Sequence, residues 1–304
     1  MQAATENRTL AALAAILGYA VLIGFTDNFV QVIAREAGLW QFHFLRTCIA
    51  ALLFALAMVP LGLRLRPVNL RAVLARSAVH GAALLIYFGC LAFLTVAQAA
   101  AGLFTAPIWV LLIGRFVYGH ALGPVRVAAV AVGFLGVILV LMPGADQPLG
   151  WASVLPVAAG MLYALGNIAT REWCGRESAA GLTLGFFLAL GLAGLLGLVV
   201  LAVFPQSPQA GADGFILRGW VTPSPTFWLW TAVNALGSVL GVGLMVRAYQ
   251  LAEANRVSIF EYVILPVSAL WGWVLWDEHI SWVAGLGMVM IFGAGAAIAA
   301  RARG

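Results

Sequence analysis

Apolar runs of membrane-spanning length follow one another along almost the whole chain, and nothing else in the sequence constrains its folding as strongly. A helix that crosses the hydrocarbon core of a bilayer needs about 20 mostly apolar residues. Ten such runs are readable, at 10–32, 41–61, 75–95, 99–117, 125–142, 151–170, 180–204, 227–249, 257–276 and 282–300. Only 9% of the 304 residues are charged, against about 25% in soluble domains. Too few charges remain to cover a water-facing surface, so lipid must solvate most of it. The expected fold class is an all-α integral membrane protein with ten transmembrane helices. The first run is too long for the apolar core of a signal peptide and reads as a span. The third and fourth runs nearly merge between Thr95 and Gln98. The stretch 205–226, with Pro205, Pro208, Pro223 and Pro225, reads as an irregular loop.

All sixteen basic residues are arginine. Without lysine there is no Schiff base and no P-loop, whose phosphate cradle needs one. The arginines form no nucleic-acid footprint. With the N-terminus placed in the cytoplasm, Arg8, Arg64, Arg66, Arg71, Arg76, Arg115, Arg126, Arg171, Arg176, Arg247, Arg256, Arg301 and Arg303 fall on the cytoplasmic side, and only Arg35 and Arg218 on the other. Such a bias is the positive-inside rule, and it puts both termini in the cytoplasm. Trp40, Trp151, Trp228, Trp276 and Trp282 fall near outer helix ends, as interfacial anchors would. Cys48, Cys90 and Cys174 match no metal spacing and read as small packing residues. No metal, cofactor or hydrolase motif is readable.

Two stretches repeat. Phe104-Thr105-Ala106-Pro107 leads to Tyr118-Gly119-His120, and Val263-Ile264-Leu265-Pro266 leads to Asp277-Glu278-His279. Each puts a proline inside a helix, then a polar exit, then a glycine-containing helix, with Gly133 and Gly136 in one copy and Gly293 and Gly295 in the other. Gly24 to Glu36 and Gly160 to Glu172 match more faintly, both ending in Arg-Glu. Five spans per copy is an odd number, so the copies, 1–147 and 148–304, would lie inverted in the membrane, as in many secondary transporters.

Phe25-Thr26-Asp27-Asn28-Phe29, Gln41 to Arg46, Leu103 to Pro107, Gly133 to Gly144 and Ala248 to Asn255, with Phe260-Glu261-Tyr262, Pro266 and Asp277-Glu278, resemble the drug/metabolite transporter superfamily, in particular its EamA-type ten-helix permeases. The resemblance covers nearly the whole chain. It implies a secondary transporter in a bacterial inner membrane, monomeric or homodimeric, that moves a small metabolite by alternating access. The implied substrate is an amino acid or a relative of one, or alternatively a vitamin or nucleoside-like metabolite of the riboflavin or S-adenosylmethionine kind. The family often has Gly-Glu after its fourth helix, where this chain has Gly119-His120, so a role for that first glutamate does not carry over.

Ionisable residues inside a membrane are expensive and mark function by default. Asp27, Arg46 and Glu261 stand out, with His43 and His80 near helix starts. At 1.5 Å per residue, Asp27 and Arg46 both lie about 9–12 Å below the outer boundary, where an ion pair is feasible. That pair either pins two helices together or presents Arg46 to a substrate carboxylate or phosphate. Glu261 is a candidate proton carrier, together with Asp27, or else a helix-start carboxylate facing the dipole. Asn28, Gln31, Tyr87, Trp109, Tyr163, Asn167, Asn234 and Tyr262 are candidate cavity-lining residues, and Pro107 and Pro266 candidate helix kinks whose freed carbonyls suit a cavity wall. Gly181 and Gly185, and Gly237 and Gly241, read as close helix contacts. A membrane-embedded enzyme would need a cluster of acids or histidines at one interface. Glu36, Asp146, Asp213, Asp277 and Glu278 are scattered over several connections, which weighs against it. A non-transporting scaffold leaves the buried charges unexplained.

Overall fold

The computed structural model describes residues 8–90, 96–121, 123–141, 154–207, 214–277 and 280–300. Regular structure among them is helical throughout: α1 (Thr9–Asp27), α2 (Val30–Glu36), α3 (Leu39–Met58), α4 (Leu70–Cys90), α5 (Val96–Leu103), α6 (Ala106–Phe116), α7 (Pro124–Leu141), α8 (Val154–Glu172), α9 (Ala179–Val203), α10 (Pro225–Leu251), α11 (Ala254–Glu261), α12 (Ile264–Trp276) and α13 (Trp282–Ala300). Six units are long and apolar enough to cross a membrane: Thr9–Glu36, Leu39–Met58, Leu70–Cys90, Ala179–Val203, Pro225–Leu251 and Ala254–Trp276. Ala106–Phe116, Pro124–Val140 and Trp282–Ile298 are apolar but shorter. The all-helical membrane fold is therefore as expected, while six spans rather than ten meet that measure among the described residues. In α8 the apolar run is interrupted on its buried face by Tyr163, Asn167 and Thr170.

Three apolar stretches are broken in the middle, each with a chemical cause. Pro107 has no N–H to return to Leu103, and the chain tightens there, with Thr105 N–H bonding Gly102 O (3.1 Å) and Ile108 N–H bonding Thr105 O (2.9 Å). A similar break precedes Pro266, where Leu265 N–H reaches Tyr262 O (3.2 Å). Between α1 and α2 no proline is present. Instead the Asn28 amide donates to Gly24 O (2.6 Å), competing for a helical acceptor, and Phe29 N–H turns back to Thr26 O.

The helices pack in recurring pairs: α3 on α9, α7 on α13, α1 on α10, α4 on α8, α1 on α11 and α12, and α8 on α5 and α6. Lipid-facing and inward faces are both apolar, as a membrane demands. On α9, Leu188, Leu192, Leu196 and Val200 point outward, while Leu182, Phe186, Phe187 and Leu190 are buried. Glycine allows the closest approach: a Cβ on Gly191 would stand 2.5 Å from Thr47, and one on Gly136 would stand 2.7 Å from Gly287 O. Gly185, Gly237 and Gly241 likewise meet Ser77, Thr26 and Ile23, so the small-residue motifs serve internal packing.

The described part of the loop before α10 is ordered by named contacts. Gln41 clamps Val221 at two points, donating to its carbonyl (2.7 Å) and accepting from its N–H (2.9 Å). Arg218 donates to Ala34 O and Ala37 O at the end of α2 (2.9 and 3.1 Å). Ser224 bonds Glu36 and also caps α10 by accepting from Phe227 N–H. Trp40 donates to Ile216 O (2.7 Å) and lies against Gly197, so it is a packing residue and not the expected interfacial anchor. Trp228, Trp276 and Trp282 are exposed, and Trp151 lies outside the described residues. Arg76, counted above among cytoplasmic charges, is fully buried in α4. The hydropathy of the first residues of α4 cannot tell a buried turn from a solvated one. The junction at 95–98, Asp146, Asp213, Glu278, Arg301 and Arg303 fall wholly or partly outside the described residues.

Candidate functional site

An inner cavity of about 90 Å³ lies among α1, α3, α4, α6, α8, α10 and α11. Asp27, Arg46, Tyr87, Pro107, Tyr163 and Glu261 line it. A wider vestibule of about 630 Å³ shares Asp27, Tyr87, Phe104 and Ile264 with the cavity, and extends past Asn28 and Gln31 to Arg35 and Trp276. Asp27, at the end of α1, thus stands where the two spaces meet.

Arg46 projects from α3 and is 3% exposed. Its Nη1 donates to Asn234 Oδ1 (3.2 Å), and its guanidinium sits 4.9, 5.9 and 5.3 Å from the ring centres of Phe42, Phe88 and Phe187. Asn234 is held in turn, donating to Thr26 O (3.3 Å) and accepting from Ser238. Arg46 and Asp27 face the same cavity, but no direct ion pair joins them. Buried charge normally requires a partner. Here aromatic faces and one amide hold the guanidinium, and its Nε has no hydrogen-bond partner among the described residues. That leaves donors able to take an anion in the fork geometry arginine offers.

Glu261 is 4% exposed and ends α11 at the break. The helix begins earlier than the apolar run suggested, at Ala254, so the glutamate is not a helix-start carboxylate. Its partners come from other helices. Tyr163 donates to Oε1 (2.8 Å), and Tyr249 and Asn167 donate to Oε2 (2.7 and 3.4 Å). Tyr19 lies 3.5 Å from the Tyr163 hydroxyl. Because that hydroxyl gives its single proton to Glu261, Tyr19 is the donor there.

The candidates separate into four groups. Asp27, Arg46, Tyr87, Tyr163, Glu261 and Pro107 line the cavity; Asn28 and Gln31 line only the vestibule. Asn234 and Asn167 stand behind, supporting Arg46 and Glu261. Trp109, Tyr262 and Pro266 are not on the cavity wall: Trp109 donates to Thr105 Oγ1 (3.2 Å), and the Tyr262 ring packs against Gly133. Ser238, a polar residue at helical depth in the sequence, lines it as well; Tyr19, Phe88, Phe186 and Met245 also line it, and no sequence signal singled them out, since aromatics and methionine on membrane helices are usually packing. His80 lines it too. Among the described residues no three histidine, cysteine or acidic side chains are grouped as metal ligands.

The helical bundle thus encloses a mostly apolar, aromatic-walled cavity that carries Asp27, Arg46 and Glu261, with a vestibule at one end. Residues 10–142 match the model of the EamA-like transporter family. The chain is 29% identical over 205 residues to a riboflavin transporter of Rhizobium johnstonii, covering 67% of this chain and 62%, or less than two thirds, of that protein. It is 24% identical over 265 residues to a pseudopaline exporter of Pseudomonas aeruginosa, covering 85% and 87%, and 24% identical over 264 residues to a riboflavin transporter of Vibrio cholerae, covering 83% and 82%. A known crystal structure superimposes with a TM-score of 0.76 over 97% of this chain and 99% of that one, at 19% identity, which fixes the fold alone. The resemblance to drug/metabolite transporters therefore stands. The amino-acid expectation gains nothing from these relatives, whose names carry riboflavin and pseudopaline.

Proposed function

We propose that the protein is a secondary transporter that carries a small organic solute through the inner cavity by alternating access. Arg46 holds a carboxylate or phosphate of that solute, and Glu261 carries a coupling proton. The observation that carries this reading is Arg46 itself, a buried guanidinium facing a cavity without an acid in contact. The aromatic walls, Tyr87, Phe88, Phe104 and Phe186, suit the flat or apolar body of such a solute. Opposite, Asp27 and Glu261 give two carboxylates that can take up protons as the cavity changes sides.

Alternating access needs two halves that can exchange roles, and the packing supports ten spans in two inverted sets, 1–147 and 148–304. The pair α1 with α10 corresponds to α8 with α4. The pair α1 with α11 and α12 corresponds to α8 with α5 and α6. The pairs α3 with α9 and α7 with α13 each map onto themselves. The breaks before Pro107 and Pro266 are the matching interruptions of the two sets. The arginine distribution of the sequence supports a reading with both termini in the cytoplasm of a bacterial inner membrane, and every residue assigned to the proposed site comes from one chain, which suits a monomer or a homodimer.

A thermal-shift screen of the purified protein in detergent tests the substrate class. The panel pairs carboxylated and phosphorylated metabolites with their neutral counterparts, and includes riboflavin and amino acids. A ligand of the folded state raises the midpoint by mass action. Stabilisation by anionic members and not by their neutral counterparts is expected. Stabilisation by neutral members alone would remove Arg46 from the substrate's recognition.

A further inference from the structure

Arg76, Ser77 and His80 lie within about one turn of α4, and each is buried, at 0%, 2% and 1% exposure. Each also carries a polar atom without a hydrogen-bond partner among the described residues: Arg76 Nη2, Ser77 Oγ and His80 Nδ1. Asn167 Oδ1, on α8, is in the same condition. Orphaned polar atoms are rare in folded proteins and cost about 1–3 kcal/mol each unless water satisfies them. Three of them, on Arg76, His80 and Asn167, follow the α4–α8 seam, and Ser77 Oγ beside them faces Gly185 of α9, so that together they define a polar strip through an otherwise apolar bundle.

The strip has a direction. Arg76 Nε donates to Thr170 Oγ1 (3.0 Å) and Nη1 to Leu182 O (3.1 Å), where α4 and α9 begin and α8 ends. One turn on, His80 Nδ1 lies against Gly166, where a Cβ would stand 2.7 Å away. The imidazole ring is 4.7 Å from the Tyr163 ring and lines the cavity. Tyr163 and Asn167 both donate to Glu261. The strip therefore runs from the end of the bundle opposite the vestibule to the carboxylate. The titratable and charged groups beside His80 are Arg76 on its own helix and Tyr163 on α8, and it shares the cavity wall with Glu261 on α11, Tyr19 and Asp27 on α1, Arg46 on α3 and Tyr87 further along α4. Neither α9 nor α5 carries a titratable side chain along its length.

We propose that His80 is the relay through which Glu261 receives its proton from the side opposite the vestibule. This rests on the reading of Glu261 as the proton carrier. Imidazole is suited to the step, since one ring nitrogen accepts while the other donates. His80 takes a proton from water on one nitrogen and releases the other nitrogen's proton to water in the cavity, which has room for a few molecules. Tyr163 then passes its hydroxyl proton to Glu261 Oε1 and takes one back from that water. Glu261 ends as the neutral acid, Tyr163 ends unchanged, and His80 ends as the other neutral tautomer, which a ring flip or exchange of its proton with water returns to the starting form. Arg76 positions the ring by fixing α4 to α8 and α9.

His43 supplies an internal control. It is equally buried, with both ring nitrogens unpartnered among the described residues, but it lies on α3 beside Phe88 and away from the cavity wall. In nitrogen NMR of the wild-type protein in detergent, the ring N–H of His80 is expected to exchange with solvent far faster than that of His43. Equal protection of the two would overturn the proposal without any variant. The second test follows the carboxylic acid infrared band of Glu261 after a pH jump, assigned by its loss in Glu261→Gln. In His80→Gln and His80→Phe that band should reach its wild-type amplitude about ten-fold or more slowly. A wild-type rate in both folded variants refutes the relay and leaves Glu261 as proton carrier. A wild type in which no Glu261 band responds to pH refutes both.

Discussion

Replacing Arg46 with glutamine removes charge while keeping an amide able to bond Asn234. Two effects on stability oppose each other. The guanidinium loses contact with Phe42, Phe88 and Phe187 at 4.9, 5.9 and 5.3 Å, worth about 0.5–2 kcal/mol each. Against this, a cation held with no acid in contact no longer has to be desolvated, a penalty of several kcal/mol. These terms nearly cancel, so the thermal midpoint of Arg46→Gln should move by no more than a few degrees. Binding has no such cancellation. A carboxylate docked on Arg46 gains a charge-assisted hydrogen bond of about 1.5–3 kcal/mol, so its Kd should rise roughly 10- to 150-fold. The primary amide of the same solute should change less than about three-fold, because a neutral group gains little from the charge. Titration calorimetry of both solutes against both proteins measures the four constants. Equal losses for acid and amide, or no loss for the acid in a folded variant, would refute the assignment of Arg46 as the anion clamp.

Other expectations follow from named contacts. Tyr249→Phe removes the 2.7 Å donor to Glu261 Oε2 and should lower the midpoint by an amount corresponding to about 1.5–3 kcal/mol, read by thermal unfolding in detergent. Glu177→Ala deletes the carboxylate that accepts from Val68 N–H (2.9 Å) and Asn69 N–H (2.6 Å) just before α4. It should cost about 0.5–2 kcal/mol while leaving the Kd of any cavity ligand unchanged. Gly191→Val would force side-chain atoms into Thr47 at the α3–α9 contact. That overpacking should cost about 1–3 kcal/mol or more, whereas Leu192→Val, on the exposed face of the same helix, should be close to neutral.

Much of this architecture is legible from solvation. Where the solvent is hydrocarbon, apolar length gives the helices and charge gives the loops, and that argument places α3, α9 and α10 within a few residues, while α4 begins and ends five residues earlier than its apolar run suggested. It fails where burial and exposure use the same residue. Arg76 looks like a positive-inside charge because its buried partners, Thr170 and Leu182, are about a hundred positions away. Trp40 looks like an interfacial anchor, yet the absence of side chains on α9 at Gly197 draws it inward. The break after Asp27 escapes a search for proline because an asparagine amide makes it. In the site, the charges were visible because charge is rare in lipid, so Asp27, Arg46 and Glu261 stood out individually. Their supporting partners did not. Whether Asn234 faces Arg46, or Tyr249 faces Glu261, depends on rotation between helices far apart in the chain, and their polar residues are too few to give a periodic signal.

The most direct test of the central claim is flux in sealed proteoliposomes. Labelled anionic solute, chosen as the strongest stabiliser in the thermal-shift panel, is followed under exchange conditions for the wild type and for Arg46→Gln inserted to the same level. Saturable exchange by the wild type, reduced at least about ten-fold in the variant at sub-saturating solute, is the result expected of a transporter whose cavity clamps its cargo at Arg46. No exchange above protein-free vesicles for any panel member, or full exchange by Arg46→Gln, would contradict it.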